Sequence, residues 1–288
     1  MNRIIRMQGL ERYAMICARM NMTLIALPAA VFYFLGGLST GLRLFGAEDS
    51  WRPPRRLAIG LGFAGLLLHG ILLYLELFTA GGLNLSFFNA VSLAAWTVAG
   101  LLLVSALSKP VENLAILALP VAAITVLLDL RFPGNHLLGN DAGWALRVHV
   151  LTSMLAYSLL TLASAQAILL AVQDNHLRRH HPGGFIRALP PLQTMESLLF
   201  EMISLGFVLL SIGLITGFVY LDDMFAQHLV HKTVLSIVAW IAFAVLLWGR
   251  YRFGWRGRTA IRWTLVGFAV LMLAYFGSKA VIELVLQR

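Results

Sequence analysis

One cysteine, Cys17, is all that the 288 residues contain. An internal disulfide, a CxxC redox pair and a CxxCH attachment site for covalent haem are therefore excluded, so the chain is neither a c-type cytochrome nor a thiol oxidoreductase. Charge is scarce too. Only 12% of residues are Asp, Glu, Lys or Arg against 59% hydrophobic, and the mean hydropathy is +0.81, outside the range of an ordinary soluble domain. No polar stretch is long enough for an aqueous domain, since the longest, from about Asp174 to Met195, reads as a loop. No HExxH, GxSxG, phosphate-binding loop or other nucleophile motif stands in a suitable context, so hydrolytic and phosphoryl-transfer chemistry have no support and no catalytic residue is assigned. Internal repeats and low-complexity tracts are missing as well.

What remains is apolar sequence in lengths that suit a bilayer. A spanning helix needs about 20 mostly apolar residues, and helices are expected at 23–45, 55–78, 86–108, 113–130, 144–172, 196–220, 230–250 and 262–284. The fold class is thus all-α, a polytopic membrane helix bundle of about eight transmembrane helices. Pro120 should kink the short fourth helix, and the fifth is long enough to tilt or project. Two regions are expected: residues 1–22, a basic N-terminal extension, and 23–288, a single transmembrane domain.

Basic residues in short loops favour the cytoplasmic side. The first, third, fifth and seventh connections hold residues such as Arg52, Arg55, Lys109, Arg178, Arg250 and Arg258, whereas the alternate connections hold only Arg131 and Arg147. Both termini are accordingly expected on the periplasmic side of a bacterial inner membrane. Arg3, Arg6, Arg12 and Arg19 oppose that assignment, and two explanations stand: translation starting at Met20 or Met22, or a basic tail that reverses or strains the topology. The net charge of +9 calls for no nucleic acid, because the basic loops sit where anionic lipid headgroups meet them. Membrane lipid is the first partner.

An ionisable side chain at membrane depth costs about 2.5–3.5 kcal/mol on insertion scales, so each needs a reason. His69 lies twelve residues after Leu57, about 18 Å along the helix, near the midplane. Glu76 follows seven residues later on the same face. His69 could ligate a haem iron, join a proton path, or hydrogen-bond a neighbouring helix. His149 and His231 stand at the outer ends of the fifth and seventh helices, at one depth, and could meet a common iron if those helices are neighbours. His136, His228 and the loop histidines His176, His180 and His181 read as interfacial or solvated. Asp129, Asp222 and Asp223 also read as solvated helix-end groups that, with Glu76 and Glu283, could form an acidic mouth attractive to cations. Lys279 and Glu283 have the spacing of an intrahelical pair. Glu196 and Glu201 suit the dipole of the sixth helix, and Trp96, Trp240 and Trp248 lie deep enough to line a cavity or to pack.

From about Leu57 onward the chain resembles the cytochrome c assembly family, the CcsA and CcmC group of haem-handling membrane proteins, and within it the YpjD-like branch. The resemblance is carried by LLLHGILL around His69, LNLSFFNAVSLAAW at 83–96, RVHVLTSMLAYSLLTLA at 147–163, LPPLQTMESLLFEMISLGFVLLSIGLITG at 189–217, HKTVLSIVAWIAFAVLLWGRYRFGWRGR at 231–258 and LAYFGSK at 273–279. It implies that 23–288 is a CcsA-like domain and that haem b is the non-covalent cofactor. It also implies that His69 matches an intramembrane histidine, His149 the first outer histidine, and that both are iron ligands. The second intramembrane histidine of the pattern falls at Trp248 and the second outer one near Leu286, while the tryptophan-rich haem platform is replaced by the Tyr220 to Lys232 segment, which has no Trp. His231 is the candidate substitute ligand. The expected function is that of a haem-binding accessory of cytochrome c biogenesis, not a full haem lyase, with maturation components as partners. The alternative is a haem-free membrane partner of another complex such as a cation transporter.

Overall fold

The computed structural model describes residues 2–46, 51–79, 82–84, 86–134, 137–138, 144–178, 189–220 and 230–277. Among them, eight helices are long and apolar enough to cross a membrane. They are α1 (Asn2–Phe45), α2 (Arg55–Leu77), α3 (Phe87–Ser108), α4 (Ala115–Arg131), α5 (Trp144–Arg178), α6 (Leu192–Tyr220), α7 (Val230–Phe253) and α8 (Gly257–Met272). Three short antiparallel strands, β1 (Phe78–Thr79), β2 (Gly82–Asn84) and β3 (Leu137–Leu138), pair in that order across the ends of α2, α3 and α4. Large apolar side chains such as Leu24, Val31, Leu67, Leu151, Ile215 and Val219 are exposed along the helices, as lipid-facing residues must be.

The helices form two groups. In the first, α1 packs on α2 and α4, and α3 packs on α2 and α4 around Tyr33, Leu72, Leu102, Leu119 and Val126. In the second, α5 packs on α6 and α8, and α7 on α6 and α8 around Leu160, Leu199, Ile203 and Phe243. Contact between α3 and α5 joins them.

Four helices differ from the sequence expectation by four residues or more, α5 by running on to Arg178. Helix α1 starts at Asn2 because residues 2–22 hold no proline and are rich in Met and Arg, which propagate a helix once one is nucleated. Helix α6 starts at Leu192, directly after Pro190-Pro191. Helix α8 starts at Gly257: Gly254 and Gly257 take positive φ of 66° and 52°, so the chain turns back sharply after Phe253. Leu273–Gly277 then forms a π-helical turn.

Small residues set the α1–α2 distance. A Cβ on Gly36 would lie 3.1 Å from the Gly62 nitrogen and 3.3 Å from the Ala58 carbonyl oxygen, both backbone atoms of α2 that cannot rotate away. This is the small-residue close approach that holds membrane helices together without a hydrophobic driving force. Gly36→Leu should destabilise the protein by about 1–3 kcal/mol through overpacking, seen as a lower unfolding temperature in detergent. An unchanged melt would mean that α1 and α2 are free to separate.

The described ion pairs all lie at one end of the bundle, the end to which the basic loops connect. Glu112, before α4, is held by Arg43 of α1 and Arg55 of α2, and Lys109 pairs with Glu201. Glu196, 3% exposed, accepts from Arg250 at 2.8 Å and Arg256 at 3.1 Å. Asp174 receives Arg178 at 3.0 Å and Arg258 at 3.7 Å. Glu196 therefore ties α6 to α7 and the turn before α8. Dipole compensation, the role expected of it from sequence, is secondary to this.

Candidate functional site

The opposite end of the bundle carries His149, in the first turns of α5. Its Nδ1 lies 2.9 Å from the Gly213 carbonyl oxygen and 3.3 Å from Thr216 Oγ1, both on α6. A carbonyl oxygen can only accept, so Nδ1 carries the proton and donates it to Gly213. Nε2 then keeps its lone pair, and it makes no hydrogen bond among the described residues. Thr216 is itself fixed by donating to Ile212 and Gly213 carbonyls at 2.8 and 3.0 Å. This is how proteins orient an imidazole for metal ligation or proton acceptance through Nε2.

His149 lines a partly open cavity of about 240 Å³ bordered by α5, α6, α7 and α8. Met154, Leu210, Leu214 and Leu271 make its walls mostly apolar, while Ser153, Tyr157, Lys232, Thr233, Ser236 and Tyr275 supply the polar groups. Lys232 and Thr233 directly follow His231, the second residue of α7, whose own side chain lies outside the described residues. Sequence reasoning missed Tyr157 and Tyr275, whose rings are 6.2 Å apart beside this cavity. Tyr157 was in principle legible, because it stands eight residues after His149 on the same helical face.

His69 is arranged differently. It is fully buried in the first helix group, with Nε2 2.9 Å from Ser92 Oγ on α3 and Nδ1 3.3 Å from the Tyr33 hydroxyl on α1. The Tyr33 ring meets the imidazole edge-on at 5.7 Å. Both ring nitrogens thus have hydroxyl partners, and His69 ties three helices together. His69 and His149 stand in different helix groups, so the structure does not bring them to one cavity. His176 donates through Nδ1 to Val172 O at 2.9 Å on its own helix and remains exposed.

Other expectations resolve one by one. Asp129 is not solvated: it is 2% exposed, because it continues the buried stripe Leu119, Ala122, Val126 on α4. Trp96 donates from Nε1 to the Leu66 carbonyl at 2.8 Å and Trp240 to Ser211 Oγ at 2.8 Å, so both lock helix pairs. Trp248, which stands where the family pattern has a histidine, is 64% exposed on the outer surface. His136, His228, Asp222, Asp223, Lys279 and Glu283 lie outside the described residues, as do His180 and His181.

Fold and site together define a polytopic membrane protein with an imidazole presented to an apolar cavity near one end of its bundle. A family profile described as cytochrome C assembly protein matches residues 59–286, and the chain belongs to that family. It is 33% identical over 270 residues to the inner membrane protein YpjD of Escherichia coli, covering 92% of this chain and all of the relative. An uncharacterised 28.8 kDa protein of Azospirillum brasilense is 30% identical over 209 residues, covering 69% of this chain and 77% of that one. The cytochrome c biogenesis protein CcsA of Chlamydomonas reinhardtii is 26% identical over 145 residues, covering 50% of this chain and 40% of the relative. No solved structure matches. The chain is therefore a membrane protein of the cytochrome c biogenesis type.

Proposed function

We propose that this protein is a haem-binding accessory of cytochrome c biogenesis in the bacterial inner membrane, with His149 as an iron ligand. One observation carries the reading: His149 donates its Nδ1 proton to Gly213, keeps Nε2 without a hydrogen bond among the described residues, and lines the mostly apolar α5–α8 cavity. The donor chemistry fits haem b, whose iron takes neutral imidazole while its macrocycle favours a water-poor surround. Bound there, haem would supply a redox-active iron. His149 would hold and orient the group, Gly213 and Thr216 would fix the imidazole, and Leu210, Leu214 and Leu271 would exclude water. His231 is the candidate for a second ligand, since its neighbours Lys232 and Thr233 border the same cavity. His69 fits iron poorly, because a ligand bond would displace Tyr33 or Ser92. Maturation components that deliver or receive haem are the natural partners, with both termini periplasmic.

A haem-free role as membrane partner of another complex, such as a cation transporter, is the second reading. It is favoured by the occupied nitrogens of His69 and the exposed Trp248, where two ligands of the family pattern would be needed.

Deleting the gene in its native host and staining membranes for covalent haem tests the first reading. Mature c-type cytochrome should fall, and be restored by the wild-type gene but not by His149→Ala expressed at equal level. Undiminished cytochrome c in the deletion strain would overturn the biogenesis role.

A further inference from the structure

The first helix group contains a set of polar side chains that the haem reading does not use. Asp129 of α4 faces Glu76 of α2 and Ser92 of α3. Neither oxygen of Asp129 makes a hydrogen bond of full geometry, and Glu76 Oε2 is equally shielded and unbonded. Asp129 is 2% exposed. Ser92, itself fully buried, continues to His69 Nε2 at 2.9 Å, and His69 Nδ1 continues to Tyr33 at 3.3 Å.

For two neighbouring carboxylates, Asp129 buried and Glu76 half-buried with Oε2 shielded from water, ionisation of both is disfavoured, because like charge and desolvation act in the same direction. Such a pair holds one proton between its members and titrates as a unit. We propose that Glu76 and Asp129 form a buried site for one exchangeable proton, linked through Ser92 to His69. The neighbouring groups support a proton over a metal ion or a fixed counter-charge. Among the described residues the set comprises Tyr33 of α1, His69 and Glu76 of α2, the neutral Ser92 of α3 and Asp129 of α4. On α4, Arg131 is exposed and lays its guanidinium over Phe132 at 5.1 Å. Among the described residues no group of three or more His, Cys, Asp or Glu could hold a metal ion.

The set is one-sided. Glu76 stands at the end of α2 opposite the ion-paired face, two residues before β1, while Tyr33 lies midway along the membrane-spanning part of α1. Towards the ion-paired face Leu103 and Leu119 are buried, and Thr40 donates its hydroxyl to the Gly36 carbonyl of its own helix. The proton moves between water and a carboxylate oxygen at the Glu76 end of the set, with no other bond changed. The set lies in the other helix group from His149, and its test needs no haem.

Infrared spectroscopy of the full chain in lipid nanodiscs at neutral pH reads it directly. The wild type should show the C=O stretch of a protonated carboxylic acid that shifts in D₂O. Each of Glu76→Gln and Asp129→Asn should move that band, and the double variant should lack it. Should the double variant fail to fold, isotopic labelling of aspartate and glutamate carboxyls in the wild type makes the same assignment. The proposal is overturned by absence of the band in the wild type, by the same band in a folded double variant, or by its loss on adding sodium or magnesium at fixed pH. The last result would make the occupant a metal ion.

Discussion

His149→Ala is expected to abolish haem retention while leaving the bundle folded. Outer partners that merely orient a metal-binding imidazole are worth about 10- to 100-fold in affinity, so removing the imidazole itself should cost at least that much. Pyridine haemochrome quantitation of detergent-purified protein measures the loss. The cavity left beside Ser153 and Leu210 is open to small ligands, so added imidazole should restore part of the bound haem to His149→Ala. His69→Gln should behave in the opposite way. Glutamine can keep hydrogen bonds to Tyr33 and Ser92, and haem content should stay near wild type. A variant pair with the reverse pattern, haem lost with His69 and kept without His149, would move the site to the other helix group.

The second large effect is on stability. Arg250→Met removes one of the two guanidinium groups on Glu196, and also the donor to Trp255 O at 3.2 Å and the cation over the Phe200 ring at 4.4 Å. Stripping a partner from a buried charge typically costs about 3–5 kcal/mol, and the retained Arg256 should keep the loss near the lower figure, about 3 kcal/mol. Arg178→Met is the comparison: Arg178 is 63% exposed, and its pairing with Asp174 should contribute at most about 1 kcal/mol. Thermal unfolding in detergent separates the two variants. Equal melts would mean that Glu196 is reached by water and needs no counter-charge. Arg250→Lys should fall between, since it keeps the charge but loses the planar stacking on Phe200.

Much of this architecture was legible because a bilayer leaves a chain few choices. Apolar runs of spanning length must close their own backbone hydrogen bonds as helices, and that alone gives α2, α3 and α4 within a residue or two. The basic connections were legible as well, but the ion pairs they make with Glu112, Glu196 and Asp174 were not. Glu196 meets Arg250 only because α6 and α7 pack together, and residue type does not encode which helices do so. The same gap explains Asp129. A carboxylate near a helix end normally reaches water, but the 119, 122, 126, 129 spacing turns this one inward, onto Glu76. His69 stood out as costly to bury, yet the two hydroxyls that offset the cost, Tyr33 and Ser92, come from helices 36 and 23 residues away in sequence. His149 stood out through family likeness. Its orienting carbonyl at Gly213 is a backbone atom, which no side-chain pattern announces.

The central claim is that His149 presents Nε2 to a bound haem. The most direct test is the absorption spectrum of the wild-type protein, purified in detergent after expression with ample haem supply, in oxidised and reduced forms with haemochrome stoichiometry. The account predicts a Soret band from non-covalent haem b near one haem per chain, with α and β bands appearing on reduction. A colourless protein that also fails to take up added haem would contradict it, and would leave a family fold kept for a haem-free partner role.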